Sequence, residues 1–391
     1  MEKSVHCVTL ASVFAMTLLP VAAAQLRTGA PEAAGINHTE LERAASLLEE
    51  QVGHGDLGAA SILVARHGVI VLHRGFGRLS SQSGSPAVAP DSIYIVASIT
   101  KPVTATATMT LVERGLISLG DPVSHYIPEF RGGDKDKVVV GDLLKHTSGM
   151  PDMLPENVDL RRAHAPMTEF VKHAIATPLL FAPGSAFRYQ SMGVLLAAEI
   201  VQRVSGMAVR EYDRQQIFEP LEMRHTQLGA DGLRLADTVQ VWTDPNGDRK
   251  DAESWGPNSV YWRNFGAPWG GLHTTTGDLA VLLETFLNGG VYNGKRILSP
   301  AAVREMTTDQ NGHLNAPWGI GWALGRSKVW NEFGDLVSPK AFGHAGATGT
   351  VAWADPETGL ICIVLTNRPL DVDHGRLLRL VSNIVAASVE K

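Results

Sequence analysis

The chain is 391 residues long, 44% hydrophobic and 19% charged, with a formal net charge of −6. That balance belongs to a packed globular protein and excludes a disordered or fibrous one. It contains no long basic run, and without the electropositive stripe that a nucleic-acid partner demands, nucleic-acid binding is excluded.

Residues 1–24 read as an export signal. Lys3 gives a positive start, 8–21 form an apolar stretch, and Ala22, Ala23 and Ala24 supply small residues ahead of a cleavage point. The apolar run falls short of the ~20 residues that span a bilayer. The sequence therefore predicts a periplasmic or secreted protein with no stable membrane span once the signal is removed. Cys7 lies inside the signal, which leaves Cys362 alone in the apolar run 360–365. It is expected to be a small buried hydrophobe, with no disulfide.

Residues 39–52 have the spacing of an amphipathic helix, with Leu41, Ala44, Ala45, Leu47 and Leu48 on one face. Two strand-like runs, 59–65 and 69–74, flank His67-Gly68 and predict a hairpin. A helical signature covers 98–113 and stops at Gly115, and Asp121-Pro122 opens a loop. Helical segments broken by Pro and Gly continue to about residue 265, with 194–204 the clearest. Strand character returns at 349–354 and 360–366 around a turn at 355–359, and a last helix covers about 375–389.

Strands at both ends with helices between them predict an α+β fold. One antiparallel sheet would be built from both chain ends and flanked by helices, with an inserted, mostly helical lobe. The expected plan is the signal, 1–24, and one unit, 25–391. Within that unit a sheet lobe takes about 25–97 and 270–391, and a helical lobe about 98–269. A cleft between two such lobes is where a small-molecule site belongs.

Ser98 and Lys101 are three residues apart at the start of the predicted helix, so hydroxyl and amine share a face. A serine is a poor nucleophile until a base takes its proton, and a lysine becomes that base only when its pKa falls. Serine and lysine at this spacing also recur at 388 and 391, so the pair alone says little. No His-Glu-x-x-His, paired-cysteine, Gly-x-Ser-x-Gly or phosphate-cradling motif is present, and neither a metal nor a cofactor is implied. Trp255, Tyr261, Trp262, Phe265 and Trp269 crowd one stretch, either as an apolar pocket or as cover for the core.

The context of Ser98 is more specific. The segments 97–102, 111–123 and 143–151, the last containing His146-Thr147-Ser148-Gly149, resemble the serine β-lactamase superfamily. The likeness is to class C β-lactamases, DD-peptidases and related esterases, and runs from the predicted hairpin to Asn367. It implies that Ser98 is acylated, that Lys101 assists proton transfer, and that Tyr189 is the phenol or phenolate of the second motif. Ser191 stands where that motif usually has asparagine. His344, followed by Ala345 and Gly346, replaces the lysine of the third motif and would hold a substrate carboxylate less firmly. The glycines around it suggest a close approach of backbone to ligand. The resemblance assigns the oxyanion to the backbone N–H groups of Ser98 and Ala347, and gives His146 a structural part.

The expected activity is acyl transfer through a covalent acyl-enzyme, with a small ester as substrate. A β-lactam or a cell-wall peptide, the substrates of a β-lactamase or a D-amino-acid peptidase, is the alternative. A non-catalytic cell-wall peptide-binding protein is the third.

Overall fold

The computed structural model describes residues 25–244 and 248–390, so the export signal read at 1–24 lies outside the described residues. Strands β1 (Arg27–Thr28), β2 (Ala59–Arg66), β3 (Val69–Gly77), β4 (Ala323–Leu324), β5 (Phe342–Gly346), β6 (Thr350–Asp355) and β7 (Leu360–Thr366) form a seven-stranded sheet. Its order is β1-β3-β2-β7-β6-β5-β4. The two chain ends meet where β7 runs antiparallel to β2, with Leu360 opposite Arg66 and Thr366 opposite Ala60. The α+β class is as expected, but the sheet is mixed. Its edge strand β1 runs parallel to β3, with Arg27 opposite Val69. A two-residue strand carries no periodicity, so nothing in the sequence announced it.

The principal helices are α1 (His38–Gly53), α2 (Thr100–Glu113), α3 (Ser191–Ser205), α4 (Thr276–Leu287) and α5 (Arg376–Ala387). Ala60, Ile62 and Val64 of β2 pack with Leu360, Cys362 and Val364 of β7 against α1 and α5. The alternate residues Leu63, Ala65, Ile361, Ile363 and Leu365 face the opposite way, into the core shared with α2, α3 and α4. Both faces of the sheet are covered, which explains why β7 reads as an unbroken apolar run. Cys362 is fully buried, and burial pushes its thiol pKa up.

The boundaries shift for local reasons. Helix α1 starts at His38 because the Asn37 side chain accepts the Glu40 N–H at 3.0 Å. Gly349, read as strand, has φ 91 and belongs to the turn between β5 and β6. The helix expected from residue 98 opens as a 3-10 turn, Ala97–Ile99, before α2 begins.

Helix α2 is buried from Thr100 to Leu111, a polar-rich sequence for such a place. Its threonines are satisfied by carbonyls, two of them one turn back in the helix and one across the core. Thr106 donates to Pro102 O at 2.8 Å, Thr108 to Thr104 O at 3.0 Å, and Thr104 to Pro268 O at 2.6 Å. Pro102 is tolerated because a first-turn N–H would have no partner inside the helix. Just ahead of α2, Tyr94–Ile95 pairs with Leu272–Thr274, which pairs in turn with Gln227–Leu228. This small sheet ties the turn containing Ser98 to the segment 268–274.

Candidate active site

Ser98 sits on the 3-10 turn directly after Ala97, a residue held at φ 44. A left-handed alanine costs energy that only the surrounding structure can sustain, and such strain gathers at functional sites. Three contacts sustain it. Thr100 Oγ1 donates to Ala97 O at 2.6 Å and accepts the Leu272 N–H at 3.0 Å, and the Val96 N–H donates to Leu272 O at 3.0 Å.

Lys101 follows in the first turn of α2, fully buried, with Nζ 3.0 Å from Ser98 Oγ. Nζ also donates to Trp269 O at 2.9 Å. Burial pushes its pKa down to about 7, and the Asp152 carboxylate partly opposes that shift. Near neutral pH a substantial share of Lys101 is therefore an uncharged amine beside the serine hydroxyl.

Tyr189 arrives from the strand-like approach to α3. Its neighbour Gln190 is pinned on three sides. The backbone N–H donates to His146 Nδ1 at 3.3 Å, the side-chain amide donates to Asp142 O at 3.0 Å, and Oε1 accepts from Ser148 at 2.7 Å. His146, at φ 64, places its ring 4.6 Å from that of Tyr189. On another side Trp330 lies 4.9 Å away at 34°. Lys101 Nζ is 4.7 Å from the tyrosine ring centroid, and Tyr189 Oη is buried. Burial raises the phenol well above its ordinary pKa, although the nearby Ser98 hydroxyl draws it back. Tyr189 is a protonated phenol at neutral pH.

Ser98 and Tyr189 open onto a cavity of about 280 Å³ that Ser191 and Ala347 also line. A model of the family described as Beta-lactamase matches residues 44–386. The chain belongs to this family. A putative D-alanyl-D-alanine carboxypeptidase of Salmonella agona is 28% identical, across 92% of this chain and 90% of the relative. Two solved structures share the fold. A penicillin-binding protein homologue from Caulobacter crescentus has a TM-score of 0.75 at 23% identity, covering 91% of this chain and 99% of that one. A family VIII carboxylesterase has 0.70 at 24%, covering 89% and 98%. The chain is thus a serine hydrolase of the β-lactamase fold.

Within this family frame, two of the residues expected at the site, His344 and Gly346, are absent from the cavity wall. His344 is fully buried behind Tyr189, 5.9 Å between ring centroids, and is absent from the cavity wall. Its Nδ1 donates to Ala345 O at 2.6 Å, and burial with the nearby Lys101 pushes its pKa down to about 3. At that pKa the ring is neutral near pH 7, and its Nε2 is buried without a hydrogen-bond partner. The glycines around it are required by the packing of the strand. A Cβ at Gly346 would collide with Val96 O, and one at Gly343 with Ala352 O.

Ala347, by contrast, is exposed on the turn after β5 and lines the cavity with Ser98. Ser191 lines it too, but its hydroxyl donates to Asp152 Oδ1 at 2.6 Å. Of the aromatic cluster, Trp262 and Trp269 line the cavity. Tyr261 and Phe265 pack together instead, 5.4 Å apart, with Phe265 against Phe170.

Asp152, Arg161 and Trp330, which belong to none of the sequence motifs, also line the cavity. The local signal for Asp152 is its place directly after the segment 143–151 that carries the resemblance. Arg161 and Trp330 carried none, since only folding brings them to Ser98.

Proposed function

We propose that Ser98 is the nucleophile of an acyl-transfer reaction in which Lys101 is the base and Tyr189 the proton relay to the leaving group. The observation that carries this reading is the 3.0 Å approach of Lys101 Nζ to Ser98 Oγ at a fully buried site, where the lysine pKa is about 7. As Ser98 Oγ bonds to the carbonyl carbon, its proton passes to Nζ. The carbonyl π electrons move to oxygen, and the backbone N–H groups of Ser98 and Ala347 stabilise that oxyanion. When the oxyanion collapses, the bond to the leaving group breaks. The proton held by Lys101 reaches that group through the Tyr189 hydroxyl. Water then attacks the acyl-serine by the reverse relay, releasing the acid and restoring Ser98.

Esters are the favoured substrates. An amide nitrogen has to be protonated and oriented as it leaves, and Ser191, already bonded to Asp152, stands where the resemblance places a carboxamide. A β-lactamase or cell-wall D-amino-acid peptidase is the second reading, favoured by the carboxypeptidase name of the Salmonella agona relative. Turnover of 4-nitrophenyl acetate against a chromogenic cephalosporin separates the two. In both, Ser98→Ala should lower turnover by at least about 10³-fold. A fluorophosphonate should add its mass to the peptide containing Ser98. An unmodified peptide would leave the non-catalytic binding reading standing.

We take the mature protein to be periplasmic or secreted. No single helix among the described residues is long and apolar enough to cross a membrane. Amino-terminal sequencing of the protein from a bacterial host tests cleavage after Ala24.

A further inference from the structure

Arg161 lies on the wall of the cavity that contains Ser98, and nothing in the acyl-transfer scheme uses it. Its guanidinium carbon sits 3.8 Å over the Trp262 ring. Stacking engages only the face of the guanidinium and leaves its in-plane N–H donors unspent. Among the described residues no carboxylate pairs with it, and its Nε is buried without a hydrogen-bond partner. The adjacent Arg162, in contrast, pairs with Asp251 at 2.7 Å. Burial lowers the Arg161 pKa to about 10, so the group remains a cation at neutral pH.

The platform under it is fixed. Arg263, fully buried next to Trp262, donates to Pro257 O at 2.7 Å and to Val239 O at 2.9 Å. Trp262 itself stacks on Phe265, 5.6 Å apart at 19°. A partly buried guanidinium stacked on a fixed ring with its donors unfilled is poised for a planar anion, which it binds through two parallel hydrogen bonds. The carboxylate on this wall, Asp152, is engaged by Ser191 and exerts its field on Lys101 and Tyr189. Meanwhile His344, at the position where the resemblance places a lysine, is neutral and out of reach.

We propose that Arg161 recognises a carboxylate on the substrate, so that the preferred esters bear an acid group on the portion lying along Trp262. The proposal rests on the reading of Ser98 as the nucleophile of this cavity. It moves anion recognition from the β5 strand to the helical side of the cleft. There it depends on residues with no counterpart in the sequence motifs.

Matched esters test it. Mono-4-nitrophenyl adipate is compared with 4-nitrophenyl hexanoate for an acid on the acyl side, and 3-carboxyphenyl acetate with phenyl acetate for an acid on the alcohol side. One pair should favour the anion by roughly ten- to hundredfold in kcat/KM, the range of a charge-assisted hydrogen bond. The preference should reside in KM and shrink as salt is added. Arg161→Met, which keeps an unbranched chain over Trp262, should abolish the preference, and Arg161→Lys should keep part of it. The proposal is overturned if neither pair discriminates or if the preference survives Arg161→Met. It is also overturned if that variant slows anionic and neutral esters alike, the mark of a merely structural arginine. Absence of all turnover, with no fluorophosphonate adduct on Ser98, would defeat the catalytic reading instead. Calorimetric binding of the two anionic esters, with and without Arg161→Met, then still decides the role of Arg161.

Discussion

A lysine that must act as a base and a tyrosine that must remain an acid need opposite environments in solution, yet one desolvated site serves both. Burial penalises charge, so it removes the proton from Lys101 and keeps it on Tyr189. The sign of the pH dependence follows. The base is competent only when neutral, so kcat/KM for 4-nitrophenyl acetate should rise with pH through about 7 and level off above it. The tyrosine, titrating well above its ordinary value, adds no falling limb near neutrality. A profile flat between about pH 5 and 9 would show that no group titrating near 7 governs the step. Tyr189→Phe removes the relay but leaves the base. It should slow hydrolysis of alkyl acetates by about 10²–10⁴-fold. The nitrophenyl ester should suffer much less, because its leaving oxygen needs little protonation. Rates across a series of leaving groups check this, since a misfolded variant would slow every ester equally.

The precision of the site comes from how elements are stapled together. The turn between β5 and β6 is fixed to the segment before Ser98 by side-chain bonds. Thr348 donates to Ile95 O at 2.8 Å, and Thr350 to Val96 O at 3.2 Å. Gly346 makes that approach possible, since a Cβ there would collide with Val96 O and with Thr350 Oγ1. Gly346→Ala should push β5 off the nucleophile turn. A cost of about 1–3 kcal/mol is expected from overpacking, read as a lower denaturant midpoint, with ester turnover falling by more than the stability loss accounts for. The elements themselves were largely legible: the α1 periodicity, the β2–β3 hairpin, and the apolar runs of β6 and β7. Less was visible where short strands or a strained backbone take over, as at β1, Ala97 and Trp330. These are set by packing rather than by residue preference.

At the scale of the molecule, the cleft is larger than the small cavity over Ser98. A second cavity of about 910 Å³ adjoins it, and both are lined by Pro257, Trp330, Ala347 and Thr348. Trp330 stands at the boundary with φ 54, a left-handed conformation that a bulky side chain rarely adopts. Trp330→Ala should open this partition and raise kcat/KM for bulky acyl esters several-fold relative to acetate. Competition between the two substrate sizes measures that ratio, and an unchanged ratio would show that Trp330 does not gate access.

From its residues alone the chain specified its α+β class, helices α1, α2, α3 and α5, strands β2, β3, β6 and β7, and the shared face of Ser98 and Lys101, but not helix α4 or strands β1 and β4. Each follows from periodicities that act within a few residues. The resemblance to a family added Tyr189, Ser191 and Ala347 as expectations, and the folded chain brings these to the cavity of Ser98. Tertiary structure alone decided that His344 is buried and neutral, that Asp152 takes the Ser191 hydroxyl, and that Arg161 faces the cleft with its Nε unpartnered. Desolvation and hydrogen-bond partnership depend on segments far apart in the chain, and no local pattern of residues encodes how they meet.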